Sequence, residues 1–214
     1  MRIILEQEIL KENKDQADKN RKCFNVNKVL VINLIGSPGA GKTTVLEKTI
    51  EKLKKDYRIA VIEGDIYTTK DAERIQNCGV EVVQINTSGV CHLSAKAIES
   101  AVQTVDLKNT DILFIENVGN LICPAEYDLG EDAKIAVLST TEGDDKPSKY
   151  PMIFQEAPVV LLNKCDLLPY INFNMETAEK DLATINKDAK VIHMSAFNDS
   201  DMDQWIEWIK DHVK

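Results

Sequence analysis

The sequence predicts an α/β fold in which a mostly parallel sheet is covered by helices on both faces. Three observations predict it. Seven short apolar runs, rich in Val and Ile and without strict alternation, read as strands buried on both sides. Helical patterns lie between most of them, as βαβ units require. The loop GSPGAGKT joins the first run directly to the first helix of the alternating part.

Taken in order, residues 1–27 come first. IILEQEILKENKDQADKNRK is polar and charge-rich and reads as an exposed helix ending near Asn25, a solvated arm ahead of one domain spanning residues 28–214. The expected strands are Val29–Ile35, Ile59–Ile62, Val80–Ile85, Ile112–Ile115, Ile135–Leu138, Val159–Leu162 and Val191–His193. The expected helices are Lys42–Lys55, Lys70–Asn77, His92–Val105, Glu176–Asn186 and Asp203–His212. TTEGDDKPSKYP at 140–151 reads as the longest polar loop, held by two prolines. No internal repeat or low-complexity tract interrupts the alternation.

Bulk composition narrows the function. A chain of 214 residues suffices for one well-buried domain. A net charge of −9 argues against general nucleic-acid binding, because no basic surplus exists to displace phosphate counterions. No apolar run approaches the roughly 20 residues of a membrane span. Met1 to Leu10 holds Arg2, Glu6 and Glu8 and lacks a small-residue cleavage site, so a cytoplasmic location is expected. The five cysteines are an odd number and scattered, which suits thiols or metal ligands rather than a disulfide framework.

Gly36 to Thr43 matches G-x-x-x-x-G-K-[ST] at every defined position. Its glycines let the backbone curl so that successive N–H groups point at phosphate oxygens, and the following helix adds its positive N-terminal end. Gly36, Ser37, Gly39, Ala40, Gly41, Lys42, Thr43 and Thr44 are therefore the expected phosphate-binding residues, with Lys42 on the β- and γ-phosphates and Thr43 on Mg²⁺. DILFIEN at 111–117 ends a strand in Glu116, a candidate for Mg²⁺ or its water, and Gly119 is placed to offer an N–H to a γ-phosphate. NKCD at 163–166 suits guanine. Asp166 can accept from the ring N1–H and exocyclic amine, Asn163 holds the pocket, and the Lys164 stem lies over the base. Ser195 and Ala196 in MSAF are placed to cap the base edge. Asp65, in EGDIYTTK after the second strand, is the candidate for orienting the metal's waters or the attacking water. Its alternative, capping the helix near Lys70, suits Thr69 better. The residue after Gly119 is Asn120 rather than glutamine, so slow intrinsic turnover is expected.

Cys91 and His92 are adjacent, and Cys123 lies four positions beyond Gly119. Two thiolates and an imidazole suit Zn²⁺, Ni²⁺ or Cu⁺ and leave one position open for loading, release or completion across a dimer. Buried structural thiols explain the same pattern, and spacing alone does not separate the two. Cys78 and Cys165 read as core thiols and Cys23 as incidental.

GSPGAGKT, EGDIYTTKDAERI, CHL, ENVGNLICPAEYDLG, STTEGDDKP and NKCDLL, in this order, resemble the hydrogenase-maturation nickel GTPases of the HypB family, in the SIMIBI class of P-loop GTPases that also holds the urease accessory GTPase. The resemblance covers the chain from about residue 28. It implies a GTPase using GTP and Mg²⁺, with Cys91, His92 and Cys123 binding Ni²⁺ or Zn²⁺ at a homodimer interface. It also implies nickel delivery to a [NiFe]-hydrogenase large-subunit precursor beside a second accessory protein. Residues 1–27 contain one cysteine and no histidine, so N-terminal nickel storage is not expected. The competing readings are a nucleotide switch that docks a partner with structural cysteines, a P-loop kinase for a small molecule, against which NKCD argues, and an accessory GTPase for another nickel enzyme such as urease.

Overall fold

The structure, a computed structural model, describes residues 6–214; the first five residues of the expected arm lie outside the described residues. In chain order the described elements begin with α1 (Glu6–Asn27), β1 (Leu30–Ile35), α2 (Lys42–Leu53), β2 (Ile59–Asp65), α3 (Lys70–Gln76), β3 (Glu81–Asn86), α4 (Ala95–Val102) and β4 (Ile112–Glu116). They continue with α5 (Cys123–Glu126), β5 (Ala133–Ser139), α6 (Lys146–Lys149), α7 (Pro151–Glu156), β6 (Val159–Asn163), α8 (Met175–Ile185), β7 (Lys190–His193) and α9 (Asp203–His212). The strands form one seven-stranded sheet in the order β3-β2-β4-β1-β5-β6-β7, and every pairing is parallel.

Successive side chains of a strand point to opposite faces, so the continuous runs feed two cores at once. Leu30, Ile32 and Leu34 of β1 pack with Val45, Leu46 and Ile50 of α2 and Trp205 of α9. Val31 of the same strand packs on the other face with Phe24 of α1 and Ile98 of α4. Ile35 joins Leu138, Ile153 and Phe154 in a third cluster. The central strands β1, β4 and β6 are buried throughout. β3 and β7 are not, against expectation, because they are the sheet's edges and each lacks a neighbour on one side.

Three further expectations change. The polar arm is solvated on one face only. Ala17 and Phe24 are buried, and Asn20, 5% exposed, donates from Nδ2 to the carbonyls of Ala95 at 2.8 Å and Leu129 at 3.0 Å. The helix expected from His92 begins at Ala95, because Ser94 is the N-cap and its hydroxyl accepts from the Ala97 N–H at 3.2 Å. The expected loop 140–151 is largely helical: a 3-10 turn at Thr140–Glu142 precedes α6 and α7, whose prolines 147 and 151 occupy first-turn positions. There a fixed φ favours the helix and the missing N–H is not needed.

Candidate functional site

β1, which lies between β4 and β5, delivers the phosphate-binding loop at its C-terminal end. Gly39 and Gly41 adopt φ of 79° and 97°, which a side chain would disfavour. Gly41 also has no room for one, since a Cβ there would lie 2.4 Å from Asn163 Nδ2. The loop runs straight into α2, so its amides and the helix end face the same cleft. That cleft, about 600 Å³, is lined by Gly39, Gly41, Lys42, Thr43, Thr44, Asp65, Glu116, Gly119 and Lys164 among others.

Lys42 is buried and its Nζ donates to the carbonyls of Gly36 at 3.2 Å and Ser37 at 3.4 Å. Burial lowers its pKa, against the pull of Glu116. The Thr43 hydroxyl donates to Glu116 Oε1 at 2.6 Å. Glu116 Oε2 is buried and has no hydrogen-bond partner among the described residues. Burial pushes the Glu116 carboxyl up to about 7. A hydroxyl and an orphaned buried carboxylate oxygen beside a lysine fit a hard divalent cation such as Mg²⁺.

Asp65 sits at the end of β2 on the same cleft. Its Oδ1 accepts from the N–H groups of Tyr67 at 2.8 Å and Thr68 at 2.6 Å, so it braces its own turn rather than capping α3. Thr69 takes the N-cap position as expected, but its hydroxyl donates to Glu73 Oε1 at 2.6 Å instead of capping. Gly119 packs against the loop, where a Cβ would approach Pro38 to 2.9 Å.

At the other end of the cleft, Asn163 is 2% exposed. Its Nδ2 donates to Ala40 O at 3.0 Å and its Oδ1 accepts from Ala196 N–H at 3.3 Å, tying the NKCD and MSAF segments to the phosphate loop. Lys164 is left-handed, φ 64°, with its Nζ on Gly39 O at 2.7 Å and its carbonyl bonded by the Thr140 hydroxyl at 2.8 Å. Asp166 is exposed just beyond. Ser195 is buried; its N–H donates to Asp201 Oδ2 at 3.0 Å. All the predicted nucleotide residues thus gather around one end of the sheet.

Cys91 and His92 sit in the turn between β3 and α4, and Cys123 opens α5. Cys91 Sγ lies 3.0 Å from Cys123 Sγ and 3.9 Å from His92 Nδ1, and a donor atom from each of the three residues falls within 4.8 Å of the others. All three are half-buried. The hydrogen bond from Cys91 and burial raise the Cys123 pKa, while burial lowers that of His92, whose ring lies 3.8 Å from that of Tyr127. The sulfur, sulfur and nitrogen donors fit a borderline or soft metal. Cys78 and Cys165 pack against core clusters, and Cys23 is exposed.

Two groups were missed by sequence reasoning. Glu63 pairs with Glu116 across the β2–β4 ladder, is 2% exposed, and leaves Oε2 without a partner among the described residues. Burial and the neighbouring Glu116 push it up to about 8. An acid directly after an apolar run was the available signal. Asn117 accepts from the Leu93 and Val118 N–H groups at 3.2 and 3.0 Å and donates to Asn33 Oδ1 at 3.3 Å, joining β1, β4 and the CHL turn in the interior. Nothing in its sequence context marks it.

A family model described as "CobW/HypB/UreG, nucleotide-binding domain" matches residues 30–193. The hydrogenase maturation factor HypB of Escherichia coli K12 is 48% identical over 206 residues, covering 96% of this chain and 71% of that protein. The probable hydrogenase maturation factor HypB of Methanocaldococcus jannaschii is 44% identical, covering 97% of this chain and 94% of that one. A crystal structure of Helicobacter pylori HypB in complex with nickel superposes with a TM-score of 0.89 at 35% identity, over 94% of each chain.

Proposed function

Because this chain belongs to the CobW/HypB/UreG family, among its HypB hydrogenase maturation factors, we propose that it hydrolyses GTP and carries nickel for [NiFe]-hydrogenase assembly. The observation that carries this reading is that one short segment serves both sites. Glu116 bonds Thr43 of the phosphate loop, and Cys123, seven positions later, closes on Cys91 at 3.0 Å.

In this reading, loop amides and Lys42 hold the β- and γ-phosphates, and the guanine edge meets Asp166. Thr43 and Glu116 would hold Mg²⁺, which when bound supplies positive charge to the phosphate oxygens. Gly119 offers its N–H toward the third phosphoryl group, and Asp65 orients water. Asn120 occupies the place where faster GTPases orient water with glutamine, so turnover is slow. Nickel is cargo, taken by Cys91, His92 and Cys123, with Zn²⁺ as a competitor for the same donors. The nickel complex of the Helicobacter pylori relative supports nickel as the metal. Val90 and Ile122, 49% and 53% exposed beside the two cysteines, favour a second copy covering this face as a homodimer. A second accessory protein and the hydrogenase large-subunit precursor are then the recipients.

Competition binding and turnover with GTP and ATP, followed by nickel titration of the full chain, test the reading. Guanine preference with about one nickel bound per chain supports it. An ATP preference, or nickel binding that survives replacement of both Cys91 and Cys123 by Ser, overturns it.

A further inference from the structure

Phe197 is 83% exposed, yet it lines the same cleft as Lys164 and Gly39. A phenyl ring left in water at a cleft wall gains nothing from the fold and everything from an occupant. Its backbone is not loose. The Phe197 N–H donates to Ser195 Oγ at 3.3 Å, and the preceding Ala196 N–H donates to Asn163 Oδ1 at 3.3 Å. Asn163 in turn holds Ala40 O at 3.0 Å, so the ring's mounting is fixed relative to the phosphate loop. The Lys164 stem, anchored by its Nζ on Gly39 O at 2.7 Å, lines the same cleft.

We propose that Phe197 is the aromatic platform on which the nucleotide's purine stacks, with the aliphatic stem of Lys164 on the opposite side. The inference rests on the GTP reading above and adds a division of labour to it. Asp166, exposed next to Lys164, chooses the base by hydrogen bonding to its edge. Phe197 supplies affinity without choice, because every base presents a π-face. The stacking is equally blind to the third phosphate, which lies at the far end of the nucleotide.

The test is equilibrium binding of GDP, a non-hydrolysable GTP analogue and ADP to the full-length wild type, Phe197→Ala and Phe197→Trp. Phe197→Ala is expected to weaken GDP and the GTP analogue by the same factor, roughly tenfold, as base–aromatic stacking predicts, and to leave the GDP-to-ADP ratio unchanged. Phe197→Trp is expected to keep wild-type affinity and to show indole fluorescence quenched by GDP. The side chain is exposed, so a failed fold is not the anticipated outcome, and a thermal melt of each variant checks it.

A Phe197→Ala variant within twofold of wild type overturns the proposal, as does a Phe197→Trp signal indifferent to GDP. A loss that appears only at chain concentrations where the oligomeric mass changes also overturns it, because the ring then belongs to a contact between copies. A wild type that prefers ADP but still loses affinity on Phe197→Ala sinks the guanine reading and leaves the stacking intact. A wild type that binds no purine nucleotide sinks both.

Discussion

The main-chain N–H of Asn120 donates to the carbonyl of Gly36 at 3.0 Å. The same Gly36 carbonyl accepts from Lys42 Nζ at 3.2 Å, and the Asn120 side chain donates to Cys91 O at 3.4 Å and accepts from the N–H of Ile122, beside Cys123, at 2.9 Å. One residue therefore touches the phosphate loop on one side and both cysteine segments on the other. Phosphates that draw Lys42 away from Gly36 change a carbonyl that Asn120 shares.

Asn120→Ala is expected to uncouple the two sites while sparing each. In the wild type, nickel affinity differs between GDP and a non-hydrolysable GTP analogue by about 5- to 150-fold, the usual range of allosteric coupling. In the variant the two affinities fall within twofold of one another. Nickel competition titrations in each nucleotide state measure this. A variant with the wild-type ratio removes Asn120 from the connection, and a wild type without any difference removes the connection itself.

Cys91→Ser and Cys123→Ser should each weaken nickel binding by at least roughly tenfold, since a hydroxyl is a harder and poorer ligand than a thiolate. Both residues are half-buried on a turn or a helix start rather than in the core. Unfolding free energy should therefore change by less than about 1 kcal/mol. Metal analysis after desalting and a urea melt provide the two numbers. Retained nickel in both single variants would move the cargo site elsewhere.

The legible parts of this fold are those where one residue type has one physical use. Val29–Ile35 reads as a central strand because only a doubly covered strand tolerates seven residues with so little polar content. GSPGAGKT reads as a phosphate loop because Gly39 and Gly41 need positive φ and Gly41 has no room beside Asn163. Illegible parts depend on partners far along the chain. Val80–Ile85 reads as a strand like the others although Glu81 and Gln84 interrupt it, and strand order makes it an edge. Asn13, Asn20 and Arg21 make α1 look like a solvated arm, yet their partners at Ala95, Asp128 and Leu129 are what bind it to the domain. Cys91, His92 and Cys123 could be named from sequence, whereas their mutual approach depends on β3, β4 and the turns that follow.

Glu63 carries a pH dependence. Its carboxyl is pushed from an ordinary 4.5 to about 8, and Glu116 beside it to about 7. Between those limits the folded chain keeps protons that the unfolded chain has released, so stability falls as pH rises from about 5 to about 8. Glu63→Gln removes the ionisation and should stabilise the nucleotide-free protein by about 1–3 kcal/mol at pH 8.5, the order of an unsatisfied buried group. At pH 5 it should have little effect. Urea unfolding of both proteins across this range measures the difference. A gain that is the same at pH 5 and 8.5 would show that charge at Glu63 is not the cause.

Asn20 tests whether α1 belongs to the domain. Its Nδ2 serves the carbonyls of Ala95 and Leu129, while Asn13 Oδ1 accepts from the Ala95 N–H at 2.8 Å, so Ala95 is held at both its polar groups three positions after His92. Gly130 lies against the same stretch of helix, where a Cβ would come within 2.7 Å of Ala17 O. Asn20→Ala removes two buried hydrogen bonds and should lower unfolding free energy by about 1–3 kcal/mol. Cys23→Ser, exposed one turn further along, should change it by less than about 0.5 kcal/mol. Because Ala95 begins the helix that follows the CHL turn, Asn20→Ala should also weaken nickel binding several-fold although Asn20 touches no ligand. Parallel urea melts and nickel titrations of the two variants separate the outcomes: equal melts would mean that the helix lies on the domain without supporting it, and an unchanged nickel affinity would confine its effect to stability.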